Sequence, residues 1–162
     1  MMNINDYYIP DDAEEYKDDI VDIYNHIPDG WGRWISCGPG WYKTIVETHN
    51  KLKFIDPNYE IHQIKEKFGG LRYYADSTTY EYGSIQEQIM QDIINAAEQY
   101  CSNICEDCGG GSDVENRRVN YYYQTQCIDC AINRGHEPNE EEKEYLKLRE
   151  EWNKKKTAMQ QG

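Results

Sequence analysis

Lys65-Glu66-Lys67-Phe68-Gly69-Gly70-Leu71-Arg72-Tyr73-Tyr74 is the stretch on which the fold of this chain turns. Two glycines flanked by alternating apolar and charged residues predict a β-hairpin over residues 59–76. With Gly69-Gly70 as the turn, Phe68 faces Leu71, Lys67 faces Arg72, Glu66 faces Tyr73 and Lys65 faces Tyr74. One face then holds Ile64, Glu66, Phe68, Leu71, Tyr73 and Ala75 and belongs to a core; the other holds Gln63, Lys65, Lys67, Arg72 and Tyr74. A bulge at the glycines would dissolve these pairs. Lysine directly opposite arginine costs stability unless an anion or a carboxylate lies between them. The basic face is therefore either a surface for a phosphate-bearing, base-containing molecule or a plain solvated face. Glu66, on the apolar side, needs a partner, for which Arg33 is the candidate; such a buried pair is more often structural than catalytic.

Outward from the hairpin the periodicity turns helical. Ala13, Tyr16, Ile20 and Ile23 predict an amphipathic helix over 11–24 with Asp11 and Asp12 available to cap it. Residues 28–40, rich in Gly and Trp, read as a loop. Trp41, Ile45, Leu52 and Ile55, with His49 on the same stripe, predict a second helix that stops before Pro57. Ile85, Ile89, Ile93, Ala96, Ala97 and Tyr100 predict a third, ending near Cys101. Asn139 before Glu140, Glu141 and Glu142 starts a last helix, with Lys154-Lys155-Lys156 expected in its final turn. Its apolar residues are few (Tyr145, Leu146, Leu148, Trp152), so it projects or mediates association between copies. The expected fold class is α+β: helices on a small antiparallel hairpin or sheet over 1–104, a ribbon over 105–132 and a charged helix over 133–162.

The chain has 162 residues, 30 acidic and 17 basic, and a net charge of −13. That length fits one domain with a small satellite. Such acidity opposes general affinity for duplex nucleic acid or an anionic membrane. With 15 Tyr and 4 Trp the chain has the large side chains that disordered sequences lack. No apolar run approaches the ~20 residues of a membrane span, and Met1-Met2-Asn3-Ile4-Asn5-Asp6 has no signal-peptide character. A soluble, cytoplasmic protein is expected. The charge is uneven: residues 1–30 carry nine acids and one base, whereas residues 31–72 carry four acids and seven bases, net +3. A basic island in an acidic chain suggests local anion recognition, or pairing with the acidic first segment.

Cys105-Glu106-Asp107-Cys108 and Cys127-Ile128-Asp129-Cys130 form two C-x2-C pairs separated by eighteen residues. This is ligand spacing for a structural Zn2+ ribbon, with Cys105, Cys108, Cys127 and Cys130 as ligands. A disulfide framework is the alternative, disfavoured by a reducing compartment. Four thiolates leave no open position for a catalytic water. Gly109-Gly110-Gly111-Ser112 and Tyr121-Tyr122-Tyr123 would form the hairpin between the pairs. Cys101 reads as a buried helix residue rather than a fifth ligand, and Cys37 as a nucleophile only if a histidine lies beside it.

Ser36-Cys37-Gly38-Pro39-Gly40 precedes the second helix and would present backbone N–H groups to an anion. Trp31, Trp34 and Trp41 could stack on a base or lock the loop to the core. The four histidines (His26, His49, His62, His136) show no metal-pair spacing, and no nucleotide-hydrolase, dinucleotide, zinc-protease or nucleophile-elbow motif occurs.

The KEKFGGLRYY stretch, the upstream Cys37-Gly38-Pro39-Gly40-Trp41-Tyr42 and the downstream Cys105-Glu106-Asp107-Cys108-Gly109 together resemble a group of small, largely uncharacterised bacteriophage and prophage proteins. Those share a KEKFGGLR-type core and a zinc-knuckle tail, and the resemblance covers roughly residues 30–132. It implies a phage or prophage origin, a host-cell cytoplasmic location and a role in host takeover or evasion of host defence. The Tyr run here stands where that group carries a Trp-containing stretch.

Together these features favour binding over catalysis. The leading expectation is capture of a small anionic, nucleotide-like molecule such as a defence signal by Lys65, Lys67, Arg72 and Tyr74, with Arg33, Trp34, Gly38, Gly40 and Trp41 contributing. The rival is an acidic module that binds and inhibits a host protein, imitating nucleic acid toward a basic partner. The third is a hydrolase using Glu66 or His62.

Overall fold

In a computed structural model describing residues 1–162, the hairpin forms the antiparallel half of a four-stranded mixed sheet. Its strands are β1 (Tyr7–Tyr8), β2 (Arg33–Ser36), β3 (Glu60–Lys67) and β4 (Gly70–Asp76), in spatial order β1-β2-β3-β4. β1 pairs with β2, and β2 with β3, in parallel; β3 and β4 are antiparallel. Parallel neighbours need crossovers, which α1 (Lys17–Asn25) and α2 (Tyr42–Ile55) provide. With α3 (Ile85–Cys101), they bring Ile20, Ile23, Tyr24, Ile45, Leu52, Met90 and Ile94 into one core with Ile35, Ile61, Ile64, Leu71 and Tyr73 of the sheet. The fold is α+β, as expected.

The chain turns one residue earlier than the glycine pair suggests. Phe68 and Gly69 occupy the turn, with φ of 53° and 79°, and Gly70 opens β4 opposite Lys67. Two left-handed turn residues match the strand twist as a type I′ hairpin requires. The facing pairs are therefore Lys65 with Arg72, Glu66 with Leu71, Ile64 with Tyr73 and Gln63 with Tyr74. The two faces keep the predicted composition, except that Phe68 leaves the core and lies exposed at the tip.

Three further expectations change. α1 begins only at Lys17, after a single 3-10 turn over Glu14–Tyr16; Asp12 accepts the Tyr42 hydroxyl instead of capping it. The 28–40 loop contains β2, whose four residues were too few to show a period. α3 buries Met90, Ile94, Ala97 and Cys101, leaving Ile85, Ile89 and Tyr100 exposed. That helix carries two adjacent apolar stripes, and the contact between Glu98 Oε1 and the Tyr73 N–H belongs to the chosen orientation.

The second sheet is a hairpin of β5 (Glu115–Val119) and β6 (Tyr122–Gln126), turning at Asn120-Tyr121 rather than through the glycine run. A short α4 (Ile128–Asn133) follows, then α5 (Glu140–Gln160). α5 starts with a full capping box between Asn139 and Glu142 but runs past the three lysines, and it buries no residue. No helix is long and apolar enough to cross a membrane.

Candidate functional site

The helices cover one face of the four-stranded sheet; the opposite face gathers the exposed side chains. Strand alternation puts Trp34 and Ser36 outward on β2, while Arg33 and Ile35 point in. Ser36 lies beside Lys65 and Lys65 opposite Arg72, forming one row across three strands. One register step away, Tyr8 pairs with Trp34, Trp34 neighbours Gln63, and Gln63 pairs with Tyr74. The result is an aromatic row beside a cationic row, with Lys67 one pleat nearer the tip. Trp34 and Tyr74 are 41% and 43% exposed, leaving ring surface available.

The cations on this face have no carboxylate. Lys65, Lys67 and Arg72 form no salt bridge, whereas Arg33, Lys53, Arg134 and Arg149 all do. Arg72 Nη1 reaches only the neighbouring Leu71 carbonyl, at 3.0 Å, and the Lys67 ammonium sits 5.8 Å from the centre of the Phe68 ring. Lys65 opposite Arg72 is thus a like-charge pair with no protein group to relieve it. The rings are fixed more firmly. Gly32, at φ +75°, lets the Trp34 indole lie against the backbone where a Cβ would approach it to 2.3 Å. Trp31 stacks on His62 with centroids 4.7 Å apart.

Four residues expected at this site are engaged elsewhere. The buried Arg33 guanidinium donates to the carbonyls of Tyr24, Asn5 and Ile27 and to Asp29; it ties the N-terminal segment to β2 and does not reach Glu66. Glu66 Oε2 instead accepts the Gly69 N–H at 3.1 Å. The anion at the Gly38 and Gly40 N–H groups is internal: they donate to the Glu106 carboxylate at 2.9 Å and the Glu106 carbonyl at 2.7 Å. A Cβ on Gly40 would stand 2.1 Å from the Cys105 oxygen, so this loop is the seat of the first cysteine knuckle rather than a ligand cradle. Trp41 is fully buried and donates through Nε1 to the Ile104 carbonyl.

The four cysteines converge. Sγ atoms of Cys105, Cys108, Cys127 and Cys130 all lie within 4.8 Å of one another, and Cys108 and Cys127 are 3.8 Å apart. Sulfurs of a tetrahedral site with bonds of ~2.3 Å are separated by ~3.8 Å, whereas a disulfide would need ~2.05 Å. The donor set fits a thiolate-bound metal ion. Burial pushes the Cys105 thiol up, but the N–H groups of Cys108, Cys127 and Asp107 aimed at its sulfur outweigh this and bring its pKa below the ordinary value. Cys101 is buried in the core, apart from the cluster. Burial, and then the Glu106 carboxylate, push the Cys37 thiol well above its ordinary pKa, the reverse of an activated nucleophile.

Knuckles and platform are mechanically linked at the hairpin tip. Thr125 Oγ1 donates to the Gly69 carbonyl at 2.6 Å, and Asn116 Nδ2 to the Phe68 carbonyl at 3.1 Å. A Cβ on Gly69 would meet Asn116 Nδ2 at 2.3 Å, so the second glycine position is needed for the approach as well as for the turn. Sequence reasoning placed Ser36 in the loop rather than beside Lys65, and missed the Trp31–His62 stack and a cluster of Asp22, His26 and His49. The last has no signature in the sequence spacing: His26 and His49 lie far apart along the chain, and only the packing of α1 on α2 unites them. No protein-family model, curated protein or solved structure matches the chain.

Proposed function

We propose that the outer face of the four-stranded sheet binds a small anionic, nucleotide-like ligand, with phosphate on Lys65, Lys67 and Arg72 and a base against Trp34 or Tyr74. One observation carries the reading: three cations without a carboxylate partner stand beside two exposed rings on one flat face. Aromatic stacking on a sheet surface is worth ~1–3 kcal/mol per base, and each charge-assisted hydrogen bond to phosphate ~1.5–3 kcal/mol. A short anion suits the charge distribution better than a long strand. The island of residues 31–72 is net positive within a chain of net −13, and attraction decays over a Debye length of ~8 Å at physiological salt. Glu60 and Asp76, at the far end of the same strands, would repel a polymer extended along them.

The metal at the four cysteines is read as Zn2+, which four thiolates hold without an open coordination position. Its role is structural: it fixes the knuckle that seats in the Gly38–Gly40 loop and the ribbon that grips the hairpin tip. Elemental analysis of the freshly purified protein should give one zinc per chain at this centre.

Calorimetry against a panel of mono-, di- and cyclic nucleotides tests the binding reading. At least one should bind, with affinity falling as salt rises, and Arg72→Gln should weaken it about tenfold or more, equivalent to ~1.4 kcal/mol, without loss of thermal stability. Failure of every panel member to bind the zinc-loaded protein would overturn it.

A further inference from the structure

At the edge of the core, where α1, α2 and the start of β3 meet, Asp22, His26 and His49 each offer one ligand atom within 4.8 Å of the others. Asp22 and His26 are four residues apart at the end of α1 and so share a face; His49 comes from the middle of α2. The two imidazoles meet edge to face, with centroids 4.9 Å apart.

One residue orients both rings. The Tyr59 carbonyl lies 2.8 Å from His26 Nδ1, and the Tyr59 hydroxyl 2.6 Å from His49 Nδ1. A carbonyl only accepts, so His26 Nδ1 is the proton-bearing nitrogen there, and its Nε2 has no hydrogen-bond partner in the protein. Anchoring of Nδ1 by a carbonyl or hydroxyl, with Nε2 left for the ion, is the outer-shell arrangement of metal-bound histidine. Tyr59 is itself braced by the Tyr73 hydroxyl at 2.8 Å.

We infer that Asp22, His26 and His49 form a second metal site, distinct from the cysteine centre, that takes a divalent first-row transition ion through both Nε2 atoms and an Asp22 carboxylate oxygen. Two imidazoles and one carboxylate favour such an ion over Mg2+ or Ca2+, and three protein ligands leave a position for water. In the ion-free protein Asp22 is held by two donors: its Oδ2 lies 2.8 Å from His49 Nε2 and 2.7 Å from Lys53 Nζ. Binding needs only small adjustments. The His49–Asp22 separation opens to ~3.4 Å, the edge of a tetrahedron with ~2.1 Å bonds. Partly exposed Lys53 swings into solvent, and partly exposed Asp22 provides the entry path.

Protons balance without loss. The His49 proton moves from Nε2 to Nδ1 and donates to the Tyr59 oxygen, while the Tyr59 hydroxyl turns to donate to Tyr73. The Tyr59–Tyr73 contact accommodates either direction, at the cost of the acceptor that the buried Tyr73 hydroxyl had in Tyr59.

The test uses the full chain with its cysteine centre loaded with zinc, titrated with Co2+. A second equivalent should bind, with weak ligand-field bands and no sulfur-to-cobalt charge transfer. Zn2+ in place of Co2+ should shift the Nε2 resonances of His26 and His49 together in nitrogen-detected NMR. His26→Ala and Asp22→Asn should abolish the second equivalent while retaining the first, which also reports that the fold is intact. Tyr59→Phe should weaken it about tenfold or more through the lost anchor. No second equivalent at about 100 μM free ion, an affinity of only about −5.5 kcal/mol, would overturn the inference. So would a second equivalent unaffected by His26→Ala.

Discussion

The two hairpins of this protein are built alike and use their charge differently. β3–β4 and β5–β6 each turn through two left-handed residues, Phe68-Gly69 and Asn120-Tyr121. Each is closed at its open end by an aspartate preceding its first strand: Asp56 holds Ser77, Thr78 and Thr79, and Asp113 holds the Ile128 N–H and the Tyr145 hydroxyl. On β5, however, Arg117 is buried and saturated by Glu142 and the carbonyls of Gln126 and Asp113. Lys65 and Arg72 on β3–β4 face each other with no anion at all. The proposed anion site rests on this contrast: a facing cation pair beside exposed rings, in a chain with 30 acids.

The largest contrast should come from the metal. Structural zinc supplies ~10–16 kcal/mol of apparent binding free energy in zinc-finger peptides, and the ribbon has little other core than Val119, Ile128 and Ala131. Chelation or Cys105→Ser should therefore melt β5–β6 while β3–β4, packed on the main core, persists. Hydrogen exchange reads this directly: amides of residues 105–134 lose protection, while those of Ile61, Ile64 and Tyr73 keep theirs. Equal loss in both hairpins would show that the ribbon is not a separate cooperative unit.

Next in size is the pair of arginines. Removing the buried Arg117 as Arg117→Ala leaves the part-buried Glu142 with His136 alone and the Gln126 and Asp113 carbonyls without their donor, a loss of ~1–3 kcal/mol. Arg72→Gln relieves a like-charge pair and should leave stability within ~0.5 kcal/mol of the parent or raise it. Urea melts of the two variants should differ accordingly. A comparable loss for Arg72→Gln would mean that its guanidinium is structural, and the case for a ligand there would fail.

The sequence carried the parts of this picture that depend on period and spacing. Alternation around the glycines showed both faces of β3–β4, because face membership survives the one-residue displacement of the turn: the pleat is unchanged when Phe68 enters the turn. The cysteine spacing likewise picked out the four residues whose sulfurs converge. What it could not carry was pairing at a distance. Gly38 and Gly40 have the features of an anion cradle, and only the tertiary fold reveals that Glu106, sixty-eight residues beyond Gly38, already fills it. Arg33 belongs to the same class, three of its four partners being backbone carbonyls that no side-chain pattern announces. β1 and β2, with two and four residues, are too short for any period.

The aspartate clamps allow a pH test. Burial raises the Asp56 pKa, but hydrogen bonds from Ser77, Thr78, Thr79 and Asn58 prevail and lower it from 3.8 to about 2. Its folded pKa is the lower one, so its contribution is complete above pH ~5 and is lost as pH falls through about 2. Nearly two pKa units correspond to ~2 kcal/mol. Comparing Asp56→Asn with the parent, the difference in unfolding free energy should be largest at neutral pH and should shrink between about pH 5 and about pH 2. A difference independent of pH would assign the clamp to shape rather than to charge.

The smallest effect concerns the turns. Phe68 holds φ at 53° with its ring 71% exposed, a conformation that suits asparagine far better than an aromatic side chain. Phe68→Asn keeps the hydrogen bonds from Asn116 and Thr125 to the tip carbonyls, since both are to backbone, and should stabilise the protein by ~1 kcal/mol. The ring therefore does nothing for the fold that asparagine would not do better. It lies beside Lys67 at the end of the cationic row, so the same substitution should weaken nucleotide binding while raising the melting temperature. A variant both more stable and equally able to bind would confine the site to the strands.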